Sequence, residues 1–401
     1  MNILLSSYSF GAYRGSEAGV GWNIAKGLAQ KGHSVSVITT REFENINLPA
    51  IQNENLPIRL IQEDFGLQTF TCSKSYRYWQ RKIRKTIHQE CSKHEYDLIH
   101  HVTFNQYRNI HDVFASSLPY IIGPVGGAEL IPAPLLEYGN LPLAVRIKEL
   151  IRYCSLDAVP LIHRSKRHAA KGKVLTSNTA TAHRLLKLPI PPEVCPAIAL
   201  YKNEIIQQPA QSAQNLSFIL FDGGLARPQK GTWLALRSIQ RLWKGGIHIP
   251  LRVVGIHAND AKKIHDYAQH INLPAEALQL EGHVTRATML QYMQQAAVMF
   301  SCVYRDSGSM ALLEALAQGC RIVCLDIPSQ EWLPEHFCHK VAVQPTSAAM
   351  EEALATALQQ EITAPANTAE WHADRVKWIE QNMTWEARID QFEAWYRQLL
   401  A

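Results

Sequence analysis

Short apolar runs alternate with helix-patterned segments along nearly the whole chain, and the alternation occurs twice, on either side of a single polar break. In the first half, Ile3 to Ser6, Ser34 to Thr39, Asp97 to Val102, Tyr120 to Ile122 and Val174 to Thr176 read as strands, while Val20 to Gln30 and Lys74 to Lys93 read as helices. In the second half, Ser217 to Phe221, Leu251 to Val254, Leu278 to Leu280 and Val298 to Cys302 read as strands. Thr232 to Trp243, Asp260 to His270 and Arg286 to Ala296 are the helices between them. Strand and helix in turn predict a parallel sheet covered by helices, because parallel neighbours need a crossover and the crossover helix buries its apolar side on the sheet.

The break itself, Gln207-Gln208-Pro209-Ala210-Gln211-Ser212-Ala213-Gln214-Asn215, has the composition of an interdomain linker. A chain of 401 residues exceeds one ordinary core. Two α/β units facing a cleft are the simplest outcome, and ligands prefer such clefts. Two segments stand outside the alternation. Ile131 to Pro160, rich in Pro and Leu, is expected to form short helices or a lid-like insertion. Trp371 to Leu400 is helical, with Trp378, Trp385, Phe392, Trp395 and Tyr396 as packing residues and Thr384 placed to cap the final helix.

Bulk properties exclude several classes. With 47% apolar and 19% charged residues, neither disorder nor a fibrous architecture applies. Met1 to Ser7 lacks the length and charge of a signal peptide and no run of 18 apolar residues occurs, so the expected location is cytoplasmic. The cysteines form no Cys-x-x-Cys pair, which argues for buried thiols over disulfides or zinc. Residues 1 to 200 carry 23 Lys/Arg against 15 Asp/Glu, whereas the remainder carries 17 against 20. Much of the basic excess lies in Lys74 to Lys85, a helix interleaved with aromatics, and in His163 to His168. Such a helix suits an anionic membrane surface or a solvated face. No helix-turn-helix, zinc or RNA-motif signature accompanies the charge, so nucleic acid is not an expected partner.

The segment 306 to 325 carries the most chemistry. Asp306 follows the apolar run 298 to 303 and belongs on the loop at that strand's C-terminal edge. Ser307, Gly308 and Ser309 open a helix whose free N–H groups and positive dipole end favour an anion such as a diphosphate. Glu314 lies about one and a half turns further on, where it can accept hydrogen bonds from hydroxyls. In any doubly wound sheet a strand, a Ser cap, an Ala/Leu helix and Gly319 could serve structure alone.

The first loop of the second half, Asp222 to Thr232, holds Arg227 and Lys230 next to a helix start, as a diphosphate clamp would. Near the N-terminus, Gly11, Gly15, Gly19 and Gly21 surround Ser16 and Glu17 between a strand and a helix. Their spacing is not Gly-x-Gly-x-x-Gly, so no dinucleotide fingerprint is present. His100 and His101 end a strand and point to opposite faces, so one of them could serve as acid, base or donor. Gly123 to Glu129 forms a tight turn whose backbone donors, at Gly126 and Gly127, could reach substrate. None of the eleven aspartates forms Asp-x-Asp, which disfavours a metal-bridged diphosphate.

These motifs together resemble those of GT-B glycosyltransferases, specifically glycosyltransferase family 4. Asp306, Glu314, Ala315, Ala317 and Gly319 match the acidic-x7-Glu signature, and Arg14 to Trp22, Lys230-Gly231 and Met383-Thr384-Trp385 are similar to further family segments. The resemblance implies two Rossmann-like domains facing a central cleft: residues 1–206 for the acceptor, 214–383 for the nucleotide sugar, and a last helix, 384–401, crossing back to the first domain. It implies a metal-independent, retaining hexosyl transfer, without a cofactor, from a UDP- or GDP-type sugar to a glycan or lipid-linked acceptor in surface polysaccharide or glycolipid synthesis.

The implied catalytic residues are Asp306, Lys230 and His101. Donor contacts fall to Gly15, Ser16, Arg227, Lys230, Ser307, Gly308, Ser309, Met310 and Glu314, and acceptor contacts to Glu17, His101, Gly126 and Gly127. The chain departs from the family in three places. Asp306 replaces the usual Glu, Leu225 stands where the clamp Arg is expected, and the loop 123 to 127 lacks a His. An alternative is therefore a catalytically silent GT-B protein that binds a glycan or a partner transferase. A dehydrogenase or epimerase on paired Rossmann-like domains is the third reading, weakened by the missing dinucleotide fingerprint.

Overall fold

The computed structural model describes residues 1–62, 73–102, 104, 106–108, 116–155, 171–186, 190–207 and 218–401. The expected linker beyond Gln207 and the basic cluster His163 to His168 lie outside these. The chain divides into two compact units. The first comprises Met1–Glu129, Ser155–Ala199 and Asn382–Ala401, the second Leu130–Cys154 and Leu200–Gln381.

The first unit is built on a seven-stranded sheet of order β3-β2-β1-β4-β5-β6-β7. Its strands are β1 (Asn2–Ser7), β2 (Ser34–Thr39), β3 (Ile58–Gln62), β4 (Leu98–Val102), β5 (Tyr120–Val125), β6 (Gly172–Thr176) and β7 (Pro192–Val194). All described pairings are parallel. The helices are α1 (Ser16–Gln30), α2 (Glu44–Asn53), α3 (Ser73–Lys93) and, later in the chain, α6 (Thr179–Leu185) and α13 (Trp385–Leu400).

The second unit contains α4 (Ala133–Tyr138) and α5 (Leu143–Cys154), then a six-stranded parallel sheet of order β10-β9-β8-β11-β12-β13. Those strands are β8 (Ile219–Asp222), β9 (Leu251–Val254), β10 (Leu278–Leu280), β11 (Val298–Ser301), β12 (Ile322–Asp326) and β13 (His339–Ala342). Its remaining helices are α7 (Thr232–Lys244), α8 (Ala258–His270), α9 (Arg286–Gln295), α10 (Met310–Ala317), α11 (Ser347–Thr363) and α12 (Ala369–Asn382).

Near-continuous apolar runs make the central strands. β11 is buried along its whole length and β12 up to its final Asp326, as strands covered on both faces must be. In each sheet the strand order reverses at one point, between β1 and β4 and between β8 and β11. Ligands of open α/β sheets bind outside the carboxyl ends of the strands flanking such a point.

The second unit takes in more of the chain than the sequence division at 206/214 assigns to it. The Pro/Leu-rich stretch 130–154 belongs to the second unit. Ile131, Leu135 and Leu141 are buried in its core with Phe221, Leu236 and Tyr304, so apolar burial decides their membership. The last helix returns to the first unit, where Phe392 and Tyr396 are fully buried and Lys31 pairs with Asp390 and Glu393. Thr384 caps α13, its hydroxyl accepting from Ala387 N–H at 3.3 Å. No described helix is long and apolar enough to cross a membrane.

Candidate active site

The strand-order reversal of the second sheet gathers most of the sequence-predicted donor residues. Lys230 ends the loop after β8, and its ammonium pairs with Asp222, the last residue of that strand. Asp306 lies on the loop after β11, with its Oδ1 accepting from Ser307 N–H at 2.8 Å. The two loops are joined directly: Tyr304 N–H donates to Gln229 carbonyl oxygen at 2.8 Å. Gly231, at φ +73°, begins α7, and a Cβ there would stand 2.3 Å from the Cys302 carbonyl oxygen. Only glycine permits both that backbone and that approach. Thr232 Oγ1 then closes the loop on itself by bridging Gly224 N–H and carbonyl at 3.2 Å each.

Ser309 caps α10, accepting from Leu312 N–H at 3.4 Å. Ser307, Gly308, Ser309 and Met310 therefore form the turn at the positive end of that helix. Glu314, on α10, has Oε1 bound by Arg286 Nε at 2.6 Å, and Arg286 also reaches Glu204 at 2.7 Å. Burial raises the Glu314 carboxyl above its ordinary range, and Arg286 opposes the rise. Asp222 and Arg286 are site residues that the sequence reading missed. Asp222 was legible as the residue ending an apolar strand, whereas nothing in its own helix links Arg286 to Glu314.

Behind the loop, Arg375 of α12 is fully buried and donates to the carbonyls of Leu316, Ala317 and Ile206 at 2.7, 2.8 and 2.6 Å. A cation at the carboxyl end of α10 complements its dipole and fixes the helix whose other end carries the Ser307 to Met310 turn. Leu225, at the expected clamp Arg position, packs against the core of the unit. Arg227 is exposed on the same loop.

The remaining predicted residues lie in the first unit. Gly15 precedes α1 as its cap residue, Ser16 begins it and Glu17 falls in its first turn. Burial pushes the Glu17 carboxyl up to about 8. A Cβ on Gly19 would meet Arg14 carbonyl oxygen at 2.1 Å and one on Gly21 would meet Ser7 Oγ at 2.3 Å. These two glycines thus seat the helix against the preceding loop.

His100 and His101 point to opposite faces of β4, as alternation requires. His101 is fully buried, with Nε2 2.7 Å from Tyr76 Oη and Nδ1 3.1 Å from Ser6 Oγ. His100 Nε2 donates to Gly123 carbonyl oxygen at 2.9 Å and Nδ1 accepts from Tyr396 Oη at 2.6 Å. Burial lowers its pKa to about 4, so the ring is neutral.

In the turn after β5, Gly127 N–H donates to Glu129 Oε2 at 2.9 Å, and Gly126 carbonyl oxygen accepts from Tyr107 N–H at 3.1 Å. Buried Glu129 also accepts from Asn178 and, at 3.3 Å, from Thr181. The turn's polar groups are therefore engaged in bracing it against α6. No group of three or more His, Cys, Asp or Glu side chains able to hold a metal occurs among the described residues.

Residues 217–360 match the family described as Glycosyl transferases group 1. No curated protein sequence matches the chain significantly. Among solved structures, sucrose-phosphate synthase from Thermosynechococcus elongatus is similar at 16% identity and a TM-score of 0.68, covering 99% of this chain and 98% of its own. WaaG, a glycosyltransferase involved in lipopolysaccharide biosynthesis, shares 14% identity at a TM-score of 0.59, with 97% and 99% covered. Anabaena HepE, solved in complex with UDP, shares 15% at 0.61, with 99% and 100% covered. At such identities the likeness is one of fold. Residues 217–360 are thus similar to the Glycosyl transferases group 1 family, and the chain as a whole has the GT-B glycosyltransferase fold.

Proposed function

We propose that the protein transfers a hexose from a UDP- or GDP-type sugar to a hydroxyl of a glycan or lipid-linked acceptor, with retention of anomeric configuration and without a metal. The observation that supports this reading is the meeting of Lys230, Asp306, the α10 N-terminus and Glu314 around one strand-order reversal of the second sheet. HepE, of the same fold, binds UDP.

In this reading the diphosphate lies on the amides of Ser307 to Met310 and draws Lys230 away from Asp222. That exchange is inexpensive, because a partly exposed Lys–Asp pair contributes only about 0–1 kcal/mol, whereas a diphosphate brings more charge to a helix N-terminus. Asp306 holds sugar hydroxyls. Glu314, oriented by Arg286 through Oε1, offers Oε2 to the ribose. Arg227 supplies the second cation of the clamp, and Gly15 and Ser16 complete the donor contacts. As the glycosidic bond breaks, negative charge grows on the diphosphate, and cations fixed beforehand stabilise it more than they stabilise the intact donor. The leaving phosphate then takes the acceptor proton on the same face. We assign acceptor contacts to the first unit at Glu17, Gly126 and Gly127. His101, whose ring nitrogens both have protein partners, is given a positioning role on β4.

Thermal shift with a panel of UDP- and GDP-sugars, followed by donor hydrolysis, tests the reading. At least one nucleotide sugar should raise the melting temperature and be hydrolysed slowly, and Lys230→Ala should depress kcat by about 10²-fold or more. A panel without a single binder overturns the proposal. Leu225, partly buried against the core instead of offering a guanidinium, favours one other reading: a protein that holds donor without turning it over. Transfer to any acceptor rejects that reading.

A further inference from the structure

Helix α5 carries its apolar stripe on the outside. Leu143, Ile147, Leu150 and Ile151 recur at helical spacing and are between 48% and 70% exposed, and Tyr153 beside them is 64% exposed. The opposite face is the one that packs. Val145 lies against the core of the second unit, Glu149 is buried, and Arg152 pairs with Glu149 at 3.3 Å. Glu149 also holds Arg305 at 3.2 Å, the residue before Asp306. An amphipathic helix of a water-soluble domain turns its apolar residues inward; this one is anchored through a buried carboxylate and presents leucine and isoleucine to solvent.

We propose that α5 docks the protein on an anionic lipid surface, inserting Leu143, Ile147, Leu150 and Ile151 among the acyl chains. The exposed charged residues of the helix are Arg146 and Lys148, both cationic, while its one carboxylate, Glu149, is buried. That pattern complements lipid phosphates and matches helices that lie in the membrane interface. A second copy is a poorer occupant. Twelve residues span roughly 18 Å, too little for the ~800 Å² per partner of a stable interface, and the exposed face carries no acid to pair with either cation. Helix α3 is the other basic element, yet its Tyr76, Trp79, Ile83 and Ile87 are fully buried and Arg77, Arg81, Lys82, Arg84 and Lys85 are exposed. Its apolar residues are inside, so it has none to insert. The proposal does not depend on the transfer reaction.

Co-sedimentation of the full chain with phosphatidylglycerol/phosphatidylcholine vesicles is the test. Binding should persist in part at high salt, since screening weakens charge attraction but not apolar burial. Ile147→Glu/Leu150→Glu, on a face that touches no core, should lower the partition coefficient by about tenfold or more. A polarity-sensitive dye on Cys154, an exposed thiol at the end of the stripe, should shift to the blue on vesicles in the wild type and in Arg81→Glu/Lys85→Glu, but not in the double glutamate variant. Undiminished binding by the double glutamate variant overturns the proposal. So does a wild-type dimer that this variant dissociates while vesicles bind neither protein, because the stripe would then belong to a second copy.

Discussion

Replacing Arg375 by Met removes a buried cation while nearly keeping its volume, and the structure allows the cost to be worked out. Three carbonyls, those of Leu316, Ala317 and Ile206, lose a charged donor, and Leu316 and Ala317 keep the weaker backbone N–H bonds from Gly319 and Ile206. A hydrogen bond to a charged group contributes about 1.5–3 kcal/mol. Against this, burial lowers the guanidinium to about 10, which corresponds to roughly 3 kcal/mol opposing the charged form, and Met does not bear that cost. Taking the middle of the first range for three carbonyls, the net loss is about 3 kcal/mol. Because two of the carbonyls, those of Leu316 and Ala317, close α10, the loss should appear first there.

Native-state hydrogen exchange measured by mass spectrometry reports it. Peptides covering Leu312 to Ala317 should lose about 3 kcal/mol of protection, while those covering β4, in the first unit, should change little. Arg375→Lys, which keeps the charge but cannot fork to three carbonyls, should fall between the two. Protection of α10 within about 1 kcal/mol of wild type would refute the reasoning, and so would an equal loss in both units.

Neutral His100 makes a pH prediction. The unfolded ring takes a proton near 6.5, the folded one only near 4, so the unfolded state binds more protons between these values. The stabilisation is complete above pH 6.5 and is lost on acidification towards 4, by up to about 3 kcal/mol. The difference between wild type and His100→Gln in urea denaturation should carry that slope, and parallel curves would contradict it. Gly231→Ala should destabilise the second unit by more than 1 kcal/mol, roughly the cost of a positive φ alone, through the added clash with Cys302; an unchanged urea midpoint would count against the loop geometry. Arg286→Gln should release Glu314 and raise KM for the donor several-fold, with a smaller effect on kcat. Equal loss in both parameters would place Arg286 in the chemistry instead.

Much of the architecture was legible in the order of residue types. Central strands such as β1, β2 and β11 announce themselves because burial on both faces demands unbroken apolar runs. Edge strands were harder. β3, β7 and β13 each form one side of a sheet, and half-exposed strands containing Arg59, Pro192 or His339 lose the apolar signal that marks the centre. The break between α12 and α13 was visible as Thr384, because capping chemistry is local.

The sequence by itself determined the two sheets, the loops that follow β8 and β11, and the anion-favouring turn before α10, since each depends on a few consecutive residues and on strand order. It also located Glu314 on the helix beginning at that turn. The tertiary structure alone decided what those groups touch. Lys230 rests on Asp222, Arg286 orients Glu314 from another helix, Arg375 closes α10 from 58 residues away, and His101 is enclosed by Tyr76 and Ser6. It also turned the apolar stripe of α5 outward, although its spacing would fit a buried face equally well. Contacts between residues distant in sequence depend on packing, and packing selects among partners that a one-dimensional pattern leaves equivalent.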